Sequence, residues 1–403
     1  MDRCVTVRPR DPVLRCRWGV RQYPVNDGMA QDGESGAVSG WIAVSNGVID
    51  LQGVAQRAET HAELAITPVF ASEPLAIGGD VASLWRSLAA GGVSDEDLSP
   101  DQRVLVREFA EAGIASTDER DIRRVTQIDA PWFESFLHEL VCGLAVRIAE
   151  SCGARCLVIK GPTLRAQHLR ERAHSGDVDL LVEPGRVSEF VRAMAEWGWR
   201  YRPNPMDGTL LPHSHTLTPE SWGCEIDAHF RIPGIAVSPD RSFEILWEQA
   251  EERAFAGVQG FTPNVAAHAL LQALTLARPT PGGVGQSPYE SAVEALRRGT
   301  DASLRLAVEL RAHGALQEEL RAAFPASQVS AEPVPDDWVW LAQPNPARVY
   351  LHLLRATPWG QKPAVLWKIL ISAGAGRSGC HGLLLRWFRG VRQLITSNRE
   401  RSA

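Results

Sequence analysis

At 403 residues the chain is longer than one ordinary hydrophobic core supports, so more than one domain is expected. A 44% hydrophobic and 22% charged composition excludes the disordered and membrane classes. A formal net charge of −6 argues against a dedicated nucleic-acid binder, whose domains run basic, but leaves a nucleotide substrate open because a bound metal inverts the local field.

The cysteines are seven in number and lack zinc-ligand spacing, which reads as reduced thiols of a cytoplasmic protein. Residues 1–36 show no periodicity and are expected to be loosely ordered, without the apolar core of a signal peptide. From Gly40 the run WIAVSNGVIDL centres on Asn46-Gly47, which predicts a β-hairpin. The next segment places Val81, Leu84, Trp85 and Leu88 on one helical face. A second helix follows, with Ser94 as its cap, Val104, Leu105, Phe109 and Ile114 as apolar positions, and Gly113 as its stop.

Strands followed by short helices predict a winged-helix-like module over 37–118. This stretch loosely resembles the PqqD-like peptide-recognition domains at Gly79-Asp80, Leu84-Trp85, Gly91-Gly92 and Phe109…Ala112-Gly113-Ile114. The resemblance implies a peptide ligand; an accessory domain without one fits the residues equally.

Residues 131–152 predict an amphipathic helix with Pro131 near its first turn, opening a core over 130–240. Cys156–Ile159 is an apolar strand running through Lys160-Gly161-Pro162 into a helix to about Arg172. Such a turn presents backbone N–H groups and a positive dipole end to phosphate, with Lys160 adding a cation. Asp177-Val178-Asp179-Leu180-Leu181-Val182 is a strand whose alternation sets Asp177 and Asp179 on one face. Paired carboxylates repel unless a hard divalent cation sits between them. Neutralising either should therefore leave the metal-free fold equally or more stable. In Glu225–Arg231 the residues Glu225, Asp227, His229 and Arg231 likewise share a face. Three carboxylates on neighbouring strands beside a Lys-Gly turn suit two-metal nucleotidyl transfer. His213 and His215 carry no metal-ligand spacing.

Residues 241–403 predict a helical part: 242–277 and 289–324, then a tail helix over 364–396. The tail sets Arg386, Arg389 and Arg392 opposite Leu384, Phe388, Val391 and Ile395, the pattern of a partner, membrane-surface or packing helix. Lys368 interrupts its most apolar run, so no transmembrane segment is expected.

VIKGPTL, GDVDLLVEP and EIDAHFRI, in that order, resemble the bacterial nucleotidyltransferase family called NTP_transf_5, within the DNA polymerase β superfamily. The resemblance spans roughly 130–320. It implies an α/β (α+β) nucleotidyltransferase fold with a short mixed sheet. Asp177, Asp179 and Asp227 become the catalytic and metal-holding residues, and Lys160, Gly161, Gly176, His229 and Arg231 the nucleotide-binding ones. Two Mg²⁺ ions, replaceable by Mn²⁺, are implied. So is transfer of a nucleoside monophosphate from an NTP to an acceptor hydroxyl on a peptide, a protein or a small molecule, nucleic acid being disfavoured by charge. Of the helical histidines such chains carry in their C-terminal half, His268 alone fits. The alternative is a non-catalytic peptide- or nucleotide-binding protein of degenerate fold, against which the intact carboxylates speak.

Overall fold

A computed structural model describes residues 5–6, 40–52, 62–171, 176–204, 207, 212–279, 289–343 and 346–367. The expectations for 7–36 and for the arginine-bearing tail lie outside these residues. The described chain is a mixed α/β structure of short sheets and many helices. Among the described residues no helix is long and apolar enough to cross a membrane.

The first part comprises β1 (Val5–Thr6), β2 (Ile42–Ala43), β3 (Gly47–Asp50), β4 (Leu64–Thr67), β5 (Leu75–Ile77), α1 (Gly79–Ala90), α2 (Pro100–Glu111) and β6 (Ala115–Ser116). An antiparallel sheet in the order β1-β5-β4-β3 stands beside the separate pair β2-β6. The Asn46-Gly47 hairpin expected from the sequence does not form. Asn46 instead gives its side-chain amide to the Pro68 carbonyl and its backbone N–H to Thr67, sending the flanking strands into different sheets. Helix α1 buries Val81, Leu84, Trp85 and Leu88 as its periodicity required, and the Trp85 indole donates to the Ile114 carbonyl at 2.8 Å. Helix α2 is capped by Ser99 in a reciprocal box with Gln102, not by Ser94, which caps a short turn before it. The helix buries Val106 and Phe109 and leaves Val104 exposed.

The middle part comprises α3 (Phe136–Ser151), β7 (Cys156–Ile159), α4 (Gly161–Ala166), β8 (Asp177–Val182), α5 (Val187–Glu196), β9 (Trp199–Tyr201), β10 (Ser214–Pro219) and β11 (Glu225–His229). Helix α3 begins at Phe136 and not near Pro131. The residues before it are held out of the helix in a bend, where the buried Glu139 carboxylate accepts the backbone N–H groups of Trp132 and Phe133. The sheet order is β7-β8-β11-β10-β9, with β8 and β11 parallel and the other pairs antiparallel.

The last part comprises α6 (Pro239–Glu248), β12 (Ala250–Phe255), β13 (Val258–Pro263), α7 (Val265–Ala277), α8 (Tyr289–Arg298), α9 (Thr300–Glu309), α10 (Gln317–Ala323), α11 (Asp336–Leu341) and α12 (Pro346–Ala356). The expected helix over 242–277 is thus split by a hairpin, whose Ala256 and Gly257 take φ of +51° and +74°. Paired positive φ values make the turn that suits a two-residue hairpin.

Alternation assigns the faces of the five-stranded sheet. Val158, Val178, Leu180, Val182, Leu217, Ile226 and Ala228 pack with α3, α5 and the hairpin. Ile49, Leu51, Ala65 and Ala76 of the first sheet enter that same cluster, and Val48 donates to the Ala256 carbonyl at 2.8 Å. The segment over 37–118 therefore shares a core with the residues that follow it. Leu157, Ile159 and Leu181 face the C-terminal helices on the other side. The acidic residues lie on that second face.

Helix α3 approaches the hairpin so closely that a Cβ on Gly143 would stand 2.7 Å from the Phe255 carbonyl oxygen. Gly143→Ala gains up to about 1 kcal/mol in helix propensity but loses about 1–3 kcal/mol to overpacking. The expected net result is a lower urea midpoint. A midpoint at or above the parent's would show that the hairpin yields.

Candidate metal and nucleotide site

Register brings the site together. Asp179 on β8 is paired directly with Asp227 on β11, so both carboxylates project from one face of adjacent parallel strands. Two residues on, His229 extends the row. The ligand atoms of Asp179, Asp227 and His229 all lie within 4.8 Å of one another. Asp177 stands on the same face one pair away, opposite Glu225, half-buried and outside that group.

Lys160 crosses from the end of β7 into this cluster. Its Nζ donates to Asp179 Oδ1 at 2.7 Å and stands 3.2 Å from His229 Nε2, while His229 Nε2 is 2.8 Å from Asp179 Oδ1. Burial alone would raise the Asp179 carboxyl. The His229 hydrogen bond and the Lys160 ammonium outweigh it and hold the group well below the usual carboxylate range. Burial, and then Lys160, push the His229 imidazole the other way, toward the neutral form. Its Nδ1 is buried with no hydrogen-bond partner.

The turn that delivers Lys160 is strained. Lys160 sits at φ +59°, a region that side-chain-bearing residues rarely adopt. Two contacts hold it there: its backbone N–H donates to His268 Nε2 at 3.1 Å, and the Thr163 hydroxyl donates to its carbonyl. Because His268 Nε2 accepts, its proton is on Nδ1 and goes to Gln167 Oε1 at 2.6 Å. Burial keeps this imidazole neutral by pulling its pKa down to about 3. His268 therefore supports the turn from behind.

The remaining expected site residues are distributed differently. Gly161 opens α4, but that helix spans only Gly161–Ala166 and does not reach Arg172, which removes the long helix dipole expected there. Gly176 lies just before β8, where a Cβ would meet nothing within 4 Å. Arg231 falls beyond the end of β11. Its guanidinium donates to the Pro212 carbonyl and to Asp337 on α11 at 3.1 Å. Glu225 pairs with Arg202.

Two groups at the site, Thr216 and Arg278, were not singled out in the sequence, and His213 was weighed there only as a metal ligand. Thr216 on β10 donates its hydroxyl to Asp227 Oδ1 at 2.6 Å, and its pairing opposite Asp227 would have followed from a known register. His213 accepts from the Arg278 guanidinium at 3.1 Å. That contact joins residues 65 apart in sequence and has no local signal.

The donor set suits a hard divalent cation: two carboxylates and one imidazole nitrogen converge where an ammonium already stands. Asp179, Asp227 and His229 would hold such an ion, with the Lys160 ammonium giving way. Thr216→Val should lower metal affinity and metal-dependent turnover about 10–100-fold, the usual effect of removing a group that orients a ligand. Unchanged Mn²⁺ affinity in that variant would show that Asp227 needs no such support.

No protein-family model matches the chain, and no curated protein matches it either. Neither the NTP_transf_5 resemblance nor the PqqD-like one gains support there. Among solved structures the chain is similar to the antibiotic-resistance factor ANT(2'')-Ia, at 15% identity over 45% of this chain and 93% of that one, with a TM-score of 0.30. It is also similar to a tRNA nucleotidyltransferase complexed with a primer tRNA and an incoming ATP analog, at 14% identity over 56% of this chain and 79% of that one, with a TM-score of 0.20. Likenesses this distant carry no argument, and the functional reading stands on the site's own atoms.

Proposed function

We propose that the protein is a metal-dependent nucleotidyltransferase that moves a nucleoside monophosphate from an NTP to an acceptor hydroxyl. The observation that carries this reading is the direct register of Asp179 with Asp227, with His229 closing a three-ligand group beside the Lys160 ammonium. Bound divalent metal would neutralise charge on the phosphates and lower the pKa of the acceptor hydroxyl. Asp177, one pair further along the face, would complete the carboxylate set. With a metal held by Asp179, Lys160 would be released from that carboxylate and be free to face the phosphates. The acceptor hydroxyl gives its proton to Asp227 as general base while its oxygen bonds to the α-phosphorus; the bond from that phosphorus to the α–β bridging oxygen breaks, and pyrophosphate leaves with the electron pair.

The acceptor approaches through the polar cleft beside Asp227, of about 240 Å³, lined by Arg202, Asn204, His213, Ser214 and Thr216 among others. A peptide or natural-product precursor presented by the first module is the acceptor we favour. Peptide modules of this type add their ligand as an extra strand, which raises the acceptor's effective concentration at the metal.

The ammonium of Lys160 inside the ligand group favours one other reading, a binding protein in which lysine permanently replaces the metal. Mn²⁺ titration followed by electron paramagnetic resonance separates the two without any acceptor. Saturable binding lost in Asp227→Asn supports the enzyme, and no binding at millimolar Mn²⁺ supports the degenerate site. Labelled NTPs with Mg²⁺ and candidate acceptors then test transfer. Mn²⁺ binding with no label transferred from any NTP would overturn the reaction while keeping the metal.

A further inference from the structure

Arg278 follows the last turn of α7 and lines a small cavity with Lys160, His213 and His229, against an apolar wall that includes Ile232 and Leu274. The cavity holds about 40 Å³, far less than the several hundred Å³ of a site for a nucleoside-sized ligand. It has room for the oxygens of one phosphate group.

Charge accounting around the cavity leaves Arg278 over. Asp179 is taken by Lys160, and Asp337 is taken by Arg231. Among the described residues no carboxylate lies within ion-pair distance of Arg278, whose hydrogen bond goes to the imidazole of His213. His213 Nε2 accepts from the guanidinium and orients it without supplying a counter-charge. Burial weighs on the Arg278 cation, with Asp337 helping and Arg231 opposing from further away. A desolvated guanidinium held by a neutral acceptor is costly unless an anion completes it. Its planar fork matches phosphate oxygens.

We propose that Arg278, aimed by His213, receives one phosphate of the pyrophosphate end of the nucleoside triphosphate at the cavity it shares with Lys160. The proposal rests on the nucleotidyltransferase reading and gives it a polarity. Phosphates enter on the Lys160 and Arg278 side, and the acceptor enters on the Thr216 side. His213 borders both spaces and marks the boundary between them.

Isothermal titration of the full chain with Mg-pyrophosphate, Mg-ATP and AMP tests it. Arg278→Gln should weaken pyrophosphate and ATP by about 10–100-fold, the usual worth of hydrogen bonds between charged groups, and AMP by less than about threefold. Equal pyrophosphate affinity in parent and variant overturns the proposal and leaves the nucleotidyltransferase reading standing. A parent that binds neither ATP nor pyrophosphate overturns both. A second measurement on the parent avoids any question of folding: pyrophosphate should slow phenylglyoxal modification of Arg278, read by peptide mass spectrometry. Modification at the same rate with and without pyrophosphate sinks the assignment.

Discussion

Asp179→Asn is expected to cost about 10³-fold or more in metal-dependent transfer and also to lower the melting temperature. The loss of activity follows from its place in the ligand group with Asp227 and His229. The loss of stability reverses what carboxylate repulsion suggests. In the fold Asp179 is not an unbalanced charge, because Lys160 Nζ sits 2.7 Å from it and His229 a further bond away. Neutralising it leaves an ammonium facing an imidazole with its counterion gone. Breaking a buried pair in this way costs about 2–4 kcal/mol here, toward the lower part of the usual range because Lys160 keeps some access to water. Lys160→Met in the same background should recover much of that loss, read as a coupling energy in a double-mutant cycle. An Asp179→Asn protein that melts at or above the parent would show that the Lys160 contact adds nothing to stability.

The second large effect is expected at Glu139, outside the candidate site. Its Oε2 accepts the backbone N–H groups of Trp132 and Phe133, and its Oε1 accepts that of Ala256, at 3.0 to 3.2 Å. One buried carboxylate thereby ties the entry to α3 to the hairpin turn, and the same turn accepts Val48 of the first sheet. Glu139→Ala orphans two buried donors and one part-buried one and opens a cavity, for about 3–5 kcal/mol. Glu139→Gln keeps one carbonyl acceptor and should cost less than half of that.

Burial pushes the Glu139 carboxyl up to about 7 against the pull of the three N–H groups. A folded pKa above the unfolded one means that the folded state binds the extra proton. The associated stability is therefore full below the ordinary glutamate value of 4.5 and is lost as pH rises through about 7. Unfolding free energy measured across that window should fall in the parent and stay flatter in Glu139→Gln. Parallel profiles would assign the slope to other groups.

Local pattern was enough for the strands that carry the chemistry. The Asp177–Val182 alternation put Asp177 and Asp179 on one face because side-chain direction in a strand has a period of two. The same rule held for Asp227 and His229; Arg231 lies beyond the strand, which ends at His229, and pairs with Asp337. Helix α1 was legible for a similar reason: its apolar residues recur at the helical period and are the ones buried. At Asn46-Gly47 and at Pro131 local preference pointed to a hairpin and a helix start. Each lost to buried partners, Pro68 and Thr67 in one case and Glu139 in the other, that lie elsewhere in the chain.

The sequence by itself determined which carboxylates exist, that they alternate on strands, and that a Lys-Gly turn precedes them. Only the tertiary structure decided which of them meet. The parallel register of β8 with β11 pairs Asp179, and not Asp177, with Asp227. It also fills the group with Lys160, braces that turn with His268, and sets Arg278 against His213. Those contacts join positions 19, 108 and 65 residues apart. Strand pairing and helix docking set them by burying apolar faces, and a charged side chain's own neighbours in sequence carry no record of that packing.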